Sequence, residues 1–400
     1  MERRNITHLV WLPWLLVLSL LCVLSACGST GAPGATAAST QTVATPSAQS
    51  NTPPVQPSAS NTAVSKPHEA LTALRMLDSN NGWALSSSSI LRTTDGGVHW
   101  KDVTPANAGL NQNGMGQFMN MQYAWVAIEP ANQQEGPGIT ILRTTDGGIS
   151  WQRSLINDPL VSLVDVPHFI NAKQGWLEMS STPGAGSARS DIWHSNDGGL
   201  TWSELSSNKS SSGLNLGYVT GISFENAQVG IAVGNLGAGG DNTVPSVSLT
   251  QNGGKTWQTR SLPHLLGGYV NPSNTSQPPV FFGNVVFLPV NVTLPNDNLL
   301  VLYRSTDGGL NWVQTSASHI RAQNTYVLDT SHAWATDSQS GKLYNTIDGG
   351  DHWTLTSNTA FALNALSFTD AQTGWGLTRD QLLHTTDGGK TWQQIPYSIQ

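Results

Sequence analysis

Six aspartates and one asparagine hold the third position of an eight-residue pattern that recurs seven times. The first copy is Thr93-Thr94-Asp95-Gly96-Gly97-Val98-His99-Trp100. The others run from Thr144 to Trp151, Ser195 to Trp202, Thr250 to Trp257, Ser305 to Trp312, Thr346 to Trp353 and Thr385 to Trp392. The acidic position is filled by Asp95, Asp146, Asp197, Asn252, Asp307, Asp348 and Asp387. Calcium binding is the first chemistry that repeated carboxylates suggest. Each copy offers only one side-chain ligand, however, and a Ca²⁺ ion takes about six to eight oxygens. Turn chemistry fits better. The glycines accept the positive φ of a tight hairpin, and the carboxylate accepts the free amides of its own turn. The Ser/Thr hydroxyl bonds across the turn, and the tryptophan covers it. These seven residues therefore read as structural.

Other reactive residue types are sparse. The ten histidines are scattered without metal-ligand spacing, no glycine-rich phosphate loop leads from a strand into a helix, and no Ser/His/Asp order stands out. The sequence implies neither cofactor nor metal. Two sets of arginines could recognise an anion. Arg92, Arg143 and Arg304 each stand three residues before a repeated Asp, where His194, Leu249, Asn345 and His384 stand in the other copies. They read as a basic strip facing an acidic partner or as solvated strand positions. Arg75, Arg321 and Arg379 form the second set.

The elements that position these residues follow from the repeat. Its closing tryptophans are 51, 51, 55, 55, 41 and 39 residues apart. That is the period of a four-stranded propeller blade. The last repeat shows the layout: strands over Phe361–Phe368, Gly374–Thr378, Gln381–Thr385 and Thr391–Tyr397, with the Asp-Gly-Gly turn before the fourth. A Gly-Trp pair opens the second strand at Gly82-Trp83, Gly175-Trp176 and Gly374-Trp375. It becomes Ala-Trp at 124–125 and 333–334, and Gly230-Ile231 in the fourth repeat. Most of the 15 tryptophans thus read as packing between blades. The expected fold is all-β: a seven-bladed propeller over 67–400, each blade made from contiguous chain.

Strands alternate in direction, so the repeated turns define one face of such a ring. The loops between second and third strands, and the connections between blades, lie on the other. Long insertions are expected on this second face, at Glu129–Gly138, Ser180–Ser190, Gly234–Pro245, Leu262–Pro279 and Asn291–Asn298. A rigid scaffold that presents loops is a common site of function. Arg321, Arg379 and Arg75, on three consecutive blades, are expected to point to that face near the axis. Together they could clasp a carboxylate, or each could pair locally with Asp337, Asp380 or Asp78. Tyr123, Tyr218 and Tyr326 are expected near the inner strands. Glu225 should stand about 23 Å from Tyr218 along one strand, which leaves Glu178 of blade three as its nearer carboxyl.

Two segments precede the repeats. Residues 1–26 combine Arg3 and Arg4 with an apolar run from Trp11 to Leu24, which reads as an export signal. The ending Leu24-Ser25-Ala26-Cys27 resembles the bacterial lipobox. That resemblance implies a lipidated Cys27 as the mature N-terminus, with the propeller held on the outer surface of a bacterial membrane. Cys22 would be removed, so the folded part would have no disulfide. Residues 27–66 are rich in Ser, Thr, Ala and Pro, with Lys66 as their only charge, and read as a disordered tether. The net charge of −7 excludes a general nucleic-acid binder and fits a soluble monomeric domain.

The repeated turns resemble the Asp-box, or BNR repeat. The whole of 67–400, with blade seven reading Gly-Trp and then Thr-Thr-Asp-Gly-Gly-Lys-Thr-Trp, resembles the photosystem II stability/assembly factor family. That resemblance implies a non-catalytic scaffold which binds a protein or cell-envelope partner on its loop-bearing face. Asp-boxes also occur in sialidases and xyloglucan-cleaving glycosidases. The alternative they imply is a glycan-active hydrolase.

Overall fold

The computed structural model describes residues 69–130, 138–160, 163–182, 184, 188–235, 245–265 and 273–400. The signal at 1–26, Cys27, the tether at 27–66 and the expected loop segments 131–137, 236–244 and 266–272 lie outside the described residues. Those described form seven separate sheets, antiparallel but for one added strand in the first, and contain no helix. Each sheet is one repeat, and successive repeats stand side by side as the blades of a propeller.

Blade 1 shows the common plan. Leu71–Met76, Gly82–Ser86, Ile90–Thr93 and His99–Asp102 pair in chain order. The turn between the first two strands and the Asp-Gly-Gly turn lie at the same end of the sheet. They are joined there: the amide of Gly96 donates to the carbonyl of Asn80 at 2.8 Å. The same bond forms in every blade, from Gly147 to Gln122, Gly198 to Lys173, Gly253 to Gln228, Gly308 to Asn284, Gly349 to Ser331 and Gly388 to Gln372. The repeated turn therefore ties the first and last hairpins of its blade together on one face.

Packing between blades explains the Gly-Trp pair. Trp125, Trp176 and Trp334 are buried and stack on Phe169, Phe224 and Phe368 of the next blade, with ring centroids 4.0, 3.9 and 3.7 Å apart. Each phenylalanine lies over the residue that opens its own blade's second strand. A Cβ at Gly175 would approach Phe169 to 2.4 Å, so only glycine fits beneath the ring. The indole Nε1 groups reach further, into the next blade's turn. Trp125, Trp176, Trp334 and Trp375 donate to the carbonyls of Gly198, Gly253, Gly388 and Gly96 at 2.7–2.9 Å.

Four features depart from seven equal blades of contiguous chain, one of them the division of the first strand of blade 5 into Ser273–Ser276 and Val280–Phe282. Ser398–Ile399 pairs in parallel with His99–Asp102, giving blade 1 a fifth strand from the far end of the sequence. The first strand of blade 3 is split into Leu163–Val164 and His168–Phe169, with Pro167, which has no amide to donate, in the gap. In blade 5, Asn291–Asn298 is not an insertion loop. It is the tip of a hairpin between Val285–Leu294 and Asp297–Ser305, closed by the two residues Pro295 and Asn296. The corresponding strands of the other blades are four to six residues long.

Inside each turn the hydrogen bonds repeat. Thr385 Oγ1 donates to Asp387 Oδ1 at 2.8 Å and accepts from the amide of Gly389 at 2.9 Å. Asp387 also receives the amide and hydroxyl of Thr391 at 2.9 and 2.6 Å. Asn252 keeps this pattern by reversing one bond: its Nδ2 donates to Thr256 Oγ1 at 2.8 Å, and Oδ1 accepts the Thr256 amide at 2.9 Å. The hydroxyl accepts as well as donates, so the amide is tolerated.

These bonds favour the ionised carboxylates. Ser150 holds Asp146 at about 2 through its hydroxyl and amide, and the amide and side chain of Asn311 do the same for Asp307. Partial burial works against the shift at Asp348 and Asp387, yet hydrogen bonds still bring both to about 2. A depressed folded pKa adds stability that is full above the unfolded value and is lost as pH falls through the folded one. Melting temperature should therefore fall steeply between pH 4 and pH 2. Asp146→Asn should retain the turn, as Asn252 does, and melt with a shallower acid slope. An unchanged slope in thermal scans would show that the carboxylates do not govern acid unfolding.

Candidate functional site

Arg92, Arg143 and Arg304 do not form a solvent-facing strip. Arg92 pairs across the sheet with Trp83, Arg143 with Trp125 and Arg304 with Phe287, so each points, like its partner, at the following blade. Arg92 lies over the Trp83 ring at 5.1 Å and donates through Nη1 to the Gly147 carbonyl at 2.6 Å. Trp83 therefore turns its Nε1 to the Asn120 carbonyl instead. Burial lowers the pKa of Arg92. Arg143 Nη1 bonds Gln152 at 3.0 Å, and Arg304 stands 3.7 Å from Asp351 of the next blade. His194 and His384 take the same place beside Trp176 and Trp375. All these positions lie between blades. A cavity of about 590 Å³ opens beside Arg92 and is lined by Asp95, His99, Lys101 and Trp151.

The second set of arginines is divided between the two ends of the ring. Arg75 pairs with Trp83, one residue from the strand end that carries the repeated turn. Its Nη1 lies 3.4 Å from the hydroxyl of Tyr326, which donates to the Phe368 carbonyl at 2.8 Å. Arg321 precedes Ala322–Val327 in blade 6, and Arg379 follows Gly374–Leu377 in blade 7; both are at the loop-bearing end. Asp337 accepts the backbone amides of Arg321, Gln339 and Ser340, and Asp78 those of Asn80 and Asn81. Among the described residues, the exposed side chains of Arg321 and Arg379 make no hydrogen bond or ion pair. The three-arginine clasp is therefore not formed, and only Arg321 and Arg379 share an end of the ring.

On blades 3 and 4 the fold brings Glu178 and Tyr218 together. They line a cavity of about 210 Å³ with Asp165, Ser180 and Thr220. Glu178 stands on Gly175–Ser180 and shares a face with Trp176, toward blade 4. Tyr218 opens the first strand of that blade, Tyr218–Phe224. Asp165 sits in the break before Pro167, with its amide on the Glu178 carbonyl at 3.1 Å. Burial, reinforced by the charges of Asp165 and Asp191, raises the Glu178 pKa well above the usual carboxylate range, and only a bond from Ser190 opposes it. Glu178 Oε1 has no hydrogen-bond partner among the described residues. Burial also raises Asp165 and, together with Glu178 and Asp165, the Tyr218 phenol. A carboxyl kept neutral in this way can donate a hydrogen bond or act as an acid. Glu225 lies beyond the opposite end of the strand from Tyr218. Tyr123 stacks on Trp125 with centroids 6.3 Å apart. Asp165 was not legible as part of this pocket, because a break in the strand, and not the repeat pattern, places it there.

The architecture defines the class: a seven-bladed β-propeller. No protein-family model matches the chain, and no curated protein matches it. Its fold is similar to the solved structure of YCF48 bound to D1 peptide, with 16% identity over 80% of this chain and 93% of that one, at a TM-score of 0.52. It is also similar to a GH74 xyloglucanase from Xanthomonas campestris, with 14% identity over 82% of this chain and a TM-score of 0.37. A prolyl endopeptidase structure matches at 9% identity, over 82% of this chain, at a TM-score of 0.49. The chain spans 64% and 49% of those two enzymes. At these identities the likeness is one of fold.

Proposed function

We propose that this protein is a non-catalytic binding propeller, lipid-anchored through Cys27 to the outer surface of a bacterial membrane, that holds a protein segment on its loop-bearing face. The observation that carries this reading is the pair Arg321 and Arg379: exposed guanidinium groups on adjacent blades, without side-chain partners among the described residues. Paired guanidinium forks suit a carboxylate, such as an acidic side chain or a peptide terminus. The likeness in fold to YCF48, solved with a peptide bound, supports the same reading. Scaffold and assembly roles of that kind need no cofactor.

The test is capture of a cross-linked partner by the full lipidated chain and by the double variant Arg321→Glu/Arg379→Glu. Charge-assisted hydrogen bonds contribute roughly 1.5–3 kcal/mol each, so affinity should fall at least about tenfold while the melting temperature holds. Equal capture by both proteins would place the binding surface elsewhere.

A glycan-active hydrolase is the second reading, favoured by the Glu178–Asp165–Tyr218 cavity. Turnover of a sialoside reporter, abolished by Glu178→Gln, would decide for it.

A further inference from the structure

Three carboxylates from distant parts of the sequence meet at the junction of blades 2 and 3. Asp158 comes from the connection that follows the outer strand of blade 2, Gln152–Ile156. Asp191 and Glu204 come from the third and fourth strands of blade 3, Ser190–Ser195 and Ser203–Ser207. Met179, Asp191 and Trp193 share a face by strand alternation, and Met179 and Trp193 pack in the cluster that joins blade 3 to Trp125 and Ile141 of blade 2. One oxygen from each of Asp158, Asp191 and Glu204 lies within 4.8 Å of the others.

Among the described residues, the one cation bonded to this group is Arg189, which does not balance it. Arg189 Nε donates to Asp191 Oδ2 at 2.5 Å, and Nη2 lies 3.6 Å from Glu204 Oε1. Three carboxyl groups meet a single guanidinium, two more acidic groups than it can neutralise. A second observation is independent of the count. The side chain of Asp191 is 0% exposed, yet its Oδ1 has no hydrogen-bond partner among the described residues. A buried carboxylate oxygen left unpaired is costly, and the Arg189 contact on Oδ2 does not relieve it. Glu204, by contrast, is 39% exposed and leaves a side open to water.

We propose that Asp158, Asp191 and Glu204 bind one divalent cation of the calcium type, which joins the connection between blades 2 and 3 to the outer strands of blade 3. The ligands are all oxygen, which selects a hard cation over zinc or copper. Calcium–oxygen distances of about 2.3–2.6 Å allow two ligands of one ion to lie up to about 5 Å apart, as these do. Carboxylates that chelate through both oxygens, and water on the Glu204 side, would complete the coordination. A double charge would match the excess that Arg189 leaves. The repeated turns could not do this, because each contributes a single carboxylate.

The test uses the full chain, stripped with a chelator and titrated with CaCl₂ by calorimetry. Tb³⁺ luminescence excited through tryptophan gives a second readout, since Trp193 is the cross-strand partner of Glu204. One saturable Ca²⁺ site, displacement of Tb³⁺ by Ca²⁺ and a raised melting temperature are expected. Asp191→Asn should abolish binding. Glu204→Gln, at a half-exposed position that should not disturb folding, should weaken binding about tenfold or more. Absence of saturable binding to the folded wild type would overturn the proposal. So would unchanged binding in Glu204→Gln, or an equal rise in melting temperature with NaCl at matched ionic strength.

Discussion

Replacing Trp176 with alanine is expected to lower the unfolding free energy by about 3–5 kcal/mol. The indole is 0% exposed, stacked within 8° of parallel on Phe224, and part of the cluster that joins blade 3 to blade 4. Its Nε1 is bonded to the carbonyl of Gly253 at 2.9 Å. Truncation would open a cavity in a rigid stack and strip that carbonyl of its donor at the same time. The surroundings cannot close on the gap, because the Phe224 ring is fixed above Gly230, where a Cβ would meet it at 2.4 Å. Urea denaturation would measure the loss. A change below about 1 kcal/mol, the scale of an ordinary surface substitution or less, would mean that the blades slide together to fill the space. Trp176→Phe should lose less, since the stacking survives and only the indole bond is removed.

A chain shortened after Pro396 should be destabilised by a similar amount. Ser398–Ile399 adds three backbone bonds along blade 1: Ser398 to Val98 at 3.0 Å, Gln400 to Trp100 at 2.8 Å and Asp102 to Gln400 at 3.0 Å. At about 1 kcal/mol each, with about 1.5–3 kcal/mol for the buried Tyr397 side chain, the loss comes to several kcal/mol. Tyr397 also bonds the carbonyl of Glu69 at 3.0 Å. The deletion would leave His99–Asp102 as a bare sheet edge, which invites pairing with other chains. Size-exclusion chromatography should show self-association along with the lower melting point. A monomeric chain of unchanged stability would mean that contacts on the inner strands suffice to close the ring.

The number of blades and their strands were legible because the signals are local. Eight contiguous residues build each turn, and a Gly-Trp or Ala-Trp pair opens the second strand in five of the seven blades. Less was legible wherever the fold joins residues that the repeat does not relate. The Ser398–Ile399 strand is two residues long and pairs with a partner some three hundred residues away. Arg75 stands near the end of its inner strand and Arg321 just before the start of its own, which puts them at opposite ends of the ring, and the sequence does not mark these strand limits. Asn291–Asn298 reads as a polar loop because Asn and Pro cluster there. The structure uses the same Pro295 and Asn296 as the turn of a longer hairpin. Arg92 was ambiguous for another reason: a strand arginine in water and one lying over a neighbour's indole have the same sequence spacing. The Glu178 pocket was partly legible, since blade adjacency alone put Glu178 near Tyr218. Asp158, Asp191 and Glu204 were not, because a ligand set drawn from a connection and two strands has no spacing to recognise.

The closure of the ring also sets an order of assembly. Neighbouring blades are joined by contacts 37 to 77 residues apart in sequence, as in Trp83 with Asn120 and Trp176 with Gly253. The bonds that close the circle span 291 residues from Met76 to Ser367 and 328 from Glu69 to Tyr397. Chain-closure entropy grows only logarithmically, so the longer span costs roughly 1–2 kcal/mol more than a contact between neighbours. In time the difference is larger. Blades can nucleate and stack one on the next as the chain emerges, but the last contact must wait until the seventh blade is in place. Until then the first blade keeps an open edge, and that interval is when this protein is most exposed to misassembly.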